Sequence, residues 1–77
     1  MDWRERIAVD PSVCHGAACI KGTRVMVSVV LDNLAAGEAQ EAIASGYHLQ
    51  VEDVQAALLY ASELAKDRVV RLPLDAA

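Results

Sequence analysis

The stretch Ala18-Cys19-Ile20-Lys21-Gly22-Thr23-Arg24-Val25-Met26-Val27 decides the fold. Two short apolar runs rich in β-branched residues flank Lys21-Gly22, and glycine supplies the positive φ that a two-residue turn requires. The stretch therefore reads as a tight hairpin. Side chains alternate across a strand, so Thr23 and Val25 fall on one side, with Arg24 and Met26 on the other, beside Lys21. Gly22 and Thr23 read as architectural residues. Arg24 is the member of the turn best placed to contact a partner, and the plainer alternative is an ion pair with Asp10 or a helix carboxylate.

On the N-terminal side, Trp3 and a charged run lead into Arg6-Ile7-Ala8-Val9, a short strand with Ile7 and Val9 on one face. Asp10-Pro11-Ser12 is a turn signal, because proline pre-sets φ and aspartate bonds nearby backbone. Residues 13–17 form a loop or the start of a strand.

On the C-terminal side the period changes from two to 3.6. Helix 1 is expected over residues 28–36, with Ser28 as N-cap and Gly37 just past its end. Val27, Val30, Leu31, Leu34 and Ala35 make one apolar stripe, and Val29 lies off it. A short helix 2 over residues 39–45 is anchored by Ile43 but poorly capped by Ala39. Gly46-Tyr47-His48 makes the next turn. Helix 3 is the longest, over residues 51–67. Its expected core stripe is Val51, Val54, Leu58, Ala61 and Ala65, with Leu59 and Tyr60 toward its flanks. Glu52 and Asp53 suit its positive N-terminal end. Beyond it, residues 68–77 read as an extended tail in which Val70, Leu72 and Leu74 share a side and Pro73 argues against helix. The sum is an α+β domain, mostly α, over residues 1–67. It has a short N-terminal strand and β-hairpin followed by a three-helix, helix-turn-helix-like body.

At 77 residues there is room for one domain, and hydrophobic residues make up 55% of it. So small a domain cannot hide that much apolar surface, so a partner or a second copy is expected to cover part of it. Off-stripe Val29, Leu59 and Tyr60 are the candidates for a homodimer interface. Formal charge is −4, unevenly spread. Residues 1–27 hold four cations against three acids, while residues 28–77 hold three cations against eight acids. That balance is a handicap on nucleic acid and an advantage on a basic protein surface. No apolar run approaches a membrane span and no signal-peptide pattern opens the chain, so a cytoplasmic location is expected.

Cys14 and Cys19 are expected as free thiols. Cys14-His15 and Cys19 offer at most three metal ligands, without the paired spacing of structural zinc, so no metal or other cofactor is expected. His15 and His48 are isolated, and there is no glycine-rich phosphate loop and no nucleophile–base pair. The chain is read as non-catalytic.

The run from Gly16 to Val27 resembles the hallmark of the Domain of Unknown Function 433 family. So does its continuation through Leu34-Ala35-Ala36-Gly37, Ile43, Tyr47, Leu49, Glu52-Asp53-Val54 and Ala56 to Ala61. The likeness covers roughly residues 5–65. It departs from the family at Ala17-Ala18, where Lys-Pro is usual, at Ala39 and Gln50, where Ser or Thr caps are usual, and at His48, where proline is frequent. The resemblance implies a small prokaryotic protein with a helix-turn-helix-like domain, acting as antitoxin to a PIN-type nuclease. On that reading the tail docks on the nuclease: Val70, Leu72 and Leu74 fill pockets while Arg68 or Arg71 reaches the metal-binding carboxylates. The alternative is a homodimeric DNA-binding autoregulator touching phosphates through the basic cluster of Lys21 and Arg24, in the signature Lys21-Gly22-Thr23-Arg24 turn, with Arg4 and Arg6. Against it, Glu52 and Asp53 stand where a recognition helix would meet DNA.

Overall fold

The computed structural model describes residues 1–67. A 3₁₀ turn at Trp3–Glu5 leads into strand β1 (Ile7–Val9), and a tight turn at Cys14–Gly16 leads into β2 (Ala18–Ile20). Three helices follow: α1 (Val27–Ala35), α2 (Gln40–Gly46) and α3 (Val51–Asp67). The architecture is the expected one, an antiparallel strand pair followed by three helices. β1 and β2 are antiparallel, with Ile7 opposite Ile20, Ala8 opposite Cys19 and Val9 opposite Ala18.

The turn after β2 forms at Lys21-Gly22. Gly22 takes φ +80°, and the Thr23 N–H donates to the Ile20 carbonyl at 3.0 Å. Positive φ at the third turn position is the geometry that favours glycine. The Thr23 hydroxyl donates to the same Ile20 carbonyl at 2.7 Å and accepts the Val25 N–H at 3.0 Å. The returning arm is short. The Ile20 N–H reaches the Val25 carbonyl at 2.9 Å, a single bridge pairs Cys19 with Met26, and α1 begins at the next residue. That bridge moves the helix start. Met26, held extended against Cys19, becomes the N-cap without any side-chain cap bond, so Ser28 lies inside the helix and not at its cap.

Both short helices end the same way. After α1, Gly37 at φ +95° donates to the Leu34 carbonyl, and the Glu38 N–H reaches Asn33 at 3.0 Å. This is the Schellman pattern, which satisfies the last free carbonyls of a helix. After α2 the Leu49 N–H reaches Ala44 at 2.8 Å and the His48 N–H reaches Ser45 at 3.5 Å. There the left-handed residue is His48, at φ +57°, while Gly46 stays helical. The turn falls within the expected Gly46-Tyr47-His48, but its left-handed residue is the histidine and not the glycine, a conformation that costs L-residues about 1–2 kcal/mol.

The core is built from Ile7 and Ile20 of the sheet, Val27 and Val30 of α1, Ile43 and Ala44 of α2, and Val54, Ala56 and Ala57 of α3. Leu58, expected in the core stripe of α3, is 39% exposed, and Ala65 is exposed as well. The helix turns Val54, Ala56 and Ala57 inward and leaves Leu58 facing outward. Trp3 of the N-terminal turn meets Tyr60 edge-on, with ring centroids 5.2 Å apart, and closes the far end of this core.

Replacing His48 by glycine relieves the left-handed strain without removing a core contact. The variant H48G is expected to be more stable by about 0.5–1 kcal/mol, read as a raised urea midpoint at unchanged slope.

Candidate functional site

The signature turn forms one wall of a cleft of about 570 Å³. Ala8, Val13 and Cys19 make its floor, and Lys21, Arg24 and Asp10 stand around it. The floor is apolar because even-numbered Ala8 of β1 and its partner Cys19 of β2 share the face turned away from the helices, under the 10–17 loop. Lys21 and Arg24 are both exposed, and neither makes an ion pair among the described residues. Asp10, expected as a partner for Arg24, instead accepts the Ser12 hydroxyl at 2.7 Å and the Ser12 N–H at 2.9 Å. Those two bonds hold its carboxyl below the usual carboxylate range. The cleft therefore sets two cations, Arg24 suited to a bidentate contact and Lys21 to a point charge, beside the Asp10 carboxylate over an apolar floor.

The loop under the cleft is unusual. Cys14, His15 and Gly16 all take positive φ, at 53°, 56° and 81°. Cys14 is half-buried, and its thiol donates to the Arg24 carbonyl at 3.3 Å, tying the loop to the signature turn. Cys19 is 1% exposed. Burial pushes its thiol pKa up, helped by the hydrogen bond with Cys14 and by the charges of Cys14 and Asp10. The two cysteines are free thiols.

A contact that sequence reasoning did not find joins the two ends of the domain. Arg6 Nη1 donates to Asp53 Oδ1 at 3.0 Å and to Gln50 Oε1 at 3.2 Å. The second oxygen of Asp53 accepts the Gln50 N–H at 3.0 Å. Asp53 is thus both the cap of α3, supplied from inside the helix where Gln50 cannot act, and the anchor for β1. Glu52-Asp53 at a helix start was a visible signal, but the distant cation was not.

The remaining candidates are scattered. Val29 is half-buried on α1, and Leu59 is 41% exposed on α3. Tyr60 packs on Trp3, so it has a partner within the chain. Val70, Arg71, Leu72 and Leu74 lie outside the described residues. Among the described residues there is no cluster of three or more metal-ligating side chains, and no helix is long and apolar enough to cross a membrane.

The chain matches the family described as "Protein of unknown function (DUF433)" over residues 7–61. That span holds β1, the signature turn, α1, α2 and most of α3. Among solved structures it is similar to the X-ray crystal structure of Rv2018 from Mycobacterium tuberculosis, with a TM-score of 0.66 and 28% identity. The likeness covers 74% of this chain and 27% of that protein, so the chain corresponds to about a quarter of Rv2018. No curated protein matches the chain.

Two outcomes follow from this geometry. Asp53→Ala removes a half-buried ion pair and a helix cap together and should cost about 2 kcal/mol, whereas Asp53→Asn, which keeps an acceptor for Gln50, should cost about half that in the same denaturation assay. Under iodoacetamide at pH 8 the native chain should be alkylated first at Cys14, with Cys19 reacting only as fast as the chain opens, a difference that peptide mass spectrometry resolves.

Proposed function

We propose that this chain, which belongs to the DUF433 family, is the antitoxin of a toxin–antitoxin pair: a non-catalytic protein that binds and neutralises a small PIN-like nuclease. One observation carries the reading. Leu58, Leu59 and Leu64 are each about two-fifths exposed, spread around the middle and C-terminal part of α3, the helix that leads toward residues 68–77. Asp32, Glu38, Glu41, Glu52 and Glu63 are all exposed on the helical body, with Lys66 beside Glu63. Exposed apolar side chains on a helical body rich in exposed acids suit a nuclease that must be basic to hold RNA. The proposed docking route continues along α3 into the tail, with Val70, Leu72 and Leu74 as anchors and Arg71 as a cation for the nuclease's metal-binding carboxylates.

A second reading is favoured by one feature, the two cations Lys21 and Arg24 of the signature turn, which make no ion pair among the described residues. In it the chain is a homodimeric, DNA-binding autoregulator whose phosphate contacts come from that turn. The start of α3 is poorly suited to the major groove, because Glu52 is exposed there and Asp53 is already committed to Arg6.

The chain co-expressed with its neighbouring genes is expected to co-purify with a small acidic-site nuclease and to suppress its RNA cleavage. Removing residues 68–77 should weaken that complex by on the order of 100-fold in titration calorimetry. Undiminished binding and neutralisation by the truncated chain would sink the tail as docking element. A gel shift on the chain's own upstream DNA that weakens with salt, in the absence of any co-purifying nuclease, would transfer the assignment to the autoregulator.

A further inference from the structure

Strand β1 has one partnered edge and one open edge. The Lys21 N–H donates to the Arg6 carbonyl at 2.8 Å, and Ala8 stands opposite Cys19. Bonded and non-bonded pairs alternate along an antiparallel ladder, so Arg6 with Lys21 and Ala8 with Cys19 are the bonded pairs. Ile7 and Val9 then aim their N–H and C=O groups away from β2. Ile20, in the same phase on β2, spends its N–H on the Val25 carbonyl at the opposite edge. No loop, turn or side-chain hydrogen bond among the described residues takes the N–H or C=O of Ile7 or Val9. The open edge also carries Val9, the most exposed large apolar side chain among the described residues at 62%.

We propose that β1 pairs antiparallel with β1 of a second copy, about a two-fold axis at Ala8, joining the two sheets into one. The register follows from the residues. With the axis at Ala8, Ile7 meets Val9 of the second copy and Val9 meets its Ile7. Each outward-facing group then finds a partner, giving four backbone hydrogen bonds. The apolar Val9 gains an isoleucine neighbour. Just beyond the strand, Arg6, whose Nη1 is held by Asp53 and Gln50, falls next to Asp10 of the second copy at both ends of the pairing, so the flanking charges are opposite in sign. Arg6 uses only Nη1 for Asp53 and Gln50, and Asp10 uses only Oδ1 for Ser12, so each retains atoms for the new contact. At the axis the two Ala8 residues form a non-bonded pair, where Cα atoms come within about 4.5 Å and a small side chain is needed.

Other registers do worse. An axis at Ile7 sets Val9 against Glu5, which lies in the 3₁₀ turn and not in a strand. An axis at Val9 sets Ile7 against Pro11, which has no N–H to give. The interface stands apart from the leucines of α3, so it leaves that face free and does not depend on the antitoxin reading.

The test uses the full chain. Sedimentation equilibrium at high micromolar concentration should give twice the 8.2 kDa chain mass. Val9→Pro removes an outward N–H that the β1–β2 ladder does not use, and proline is tolerated on an edge strand. It should raise the dimer dissociation constant about tenfold or more while leaving the circular dichroism spectrum intact. As a second variant, Ala8→Cys in a Cys14→Ser, Cys19→Ala background should cross-link to a disulfide dimer under oxidised glutathione. The exposed control Ala17→Cys in the same background should not. If Val9→Pro fails to fold, the Ala8→Cys cross-link alone decides. A monomeric mass, a Val9→Pro variant that dimerises as well as the parent, or equal cross-linking at positions 8 and 17 each overturns the proposal. A dimer that survives Val9→Pro would instead use a different face, with the exposed leucines of α3 the first to examine.

Discussion

Arg6 and Asp53 are separated by 47 residues and joined at 3.0 Å. The pair holds the strand that begins the sheet against the start of the helix that ends the domain. Its setting explains its value. Arg6 keeps 31% of its side chain exposed and Asp53 keeps 14%, so neither ion is fully stripped of water and the desolvation cost is partial. Asp53 also satisfies the Gln50 N–H, one of the free donors at the start of α3. A pair that only bridged two surface charges would contribute little. This one also caps a 17-residue helix and fixes where β1 sits on it.

The rest of the domain is economical because its core is small. Nine residues form it, three of them alanine. Alanines on the inward face of α3 bring backbones close, which gains dispersion contact without side-chain entropy. The consequence appears on the outside. The larger side chains of α3, Leu58, Leu59 and Leu64, are displaced to the surface, and the chain retains apolar area that the domain itself does not cover.

This is also where the sequence stopped being legible. The Lys21-Gly22 turn, the extent of α3 and the glycine stop after α1 could be read locally, because each rests on the φ preference of glycine or on a long periodic pattern. Tertiary contacts decided the others. Met26 replaced Ser28 as cap because its bridge to Cys19 holds it extended. His48 took the left-handed position because Leu49 must drop back to bond Ala44. The stripe of α3 rotated because close approach favours alanine over leucine, which no helical wheel weighs. The two-cation cleft was half legible: Lys21 and Arg24 were singled out, but its apolar floor depends on the 10–17 loop folding over Cys19.

An open strand edge is a hazard for any small protein, since it pairs with whatever extended chain it meets. Here the edge is guarded on both sides of its three residues. Glu5 is in a 3₁₀ turn before it, and Pro11 follows Asp10 after it. A foreign strand could find only two outward residues, Ile7 and Val9, flanked by a cation and an anion. Such an edge admits few partners in few registers, and a copy of itself satisfies both the hydrogen bonds and the charges. The features that keep β1 from aggregating are therefore the same ones that make self-pairing specific. Short length limits the strength of the pairing, and the opposed charges of Arg6 and Asp10 set its register.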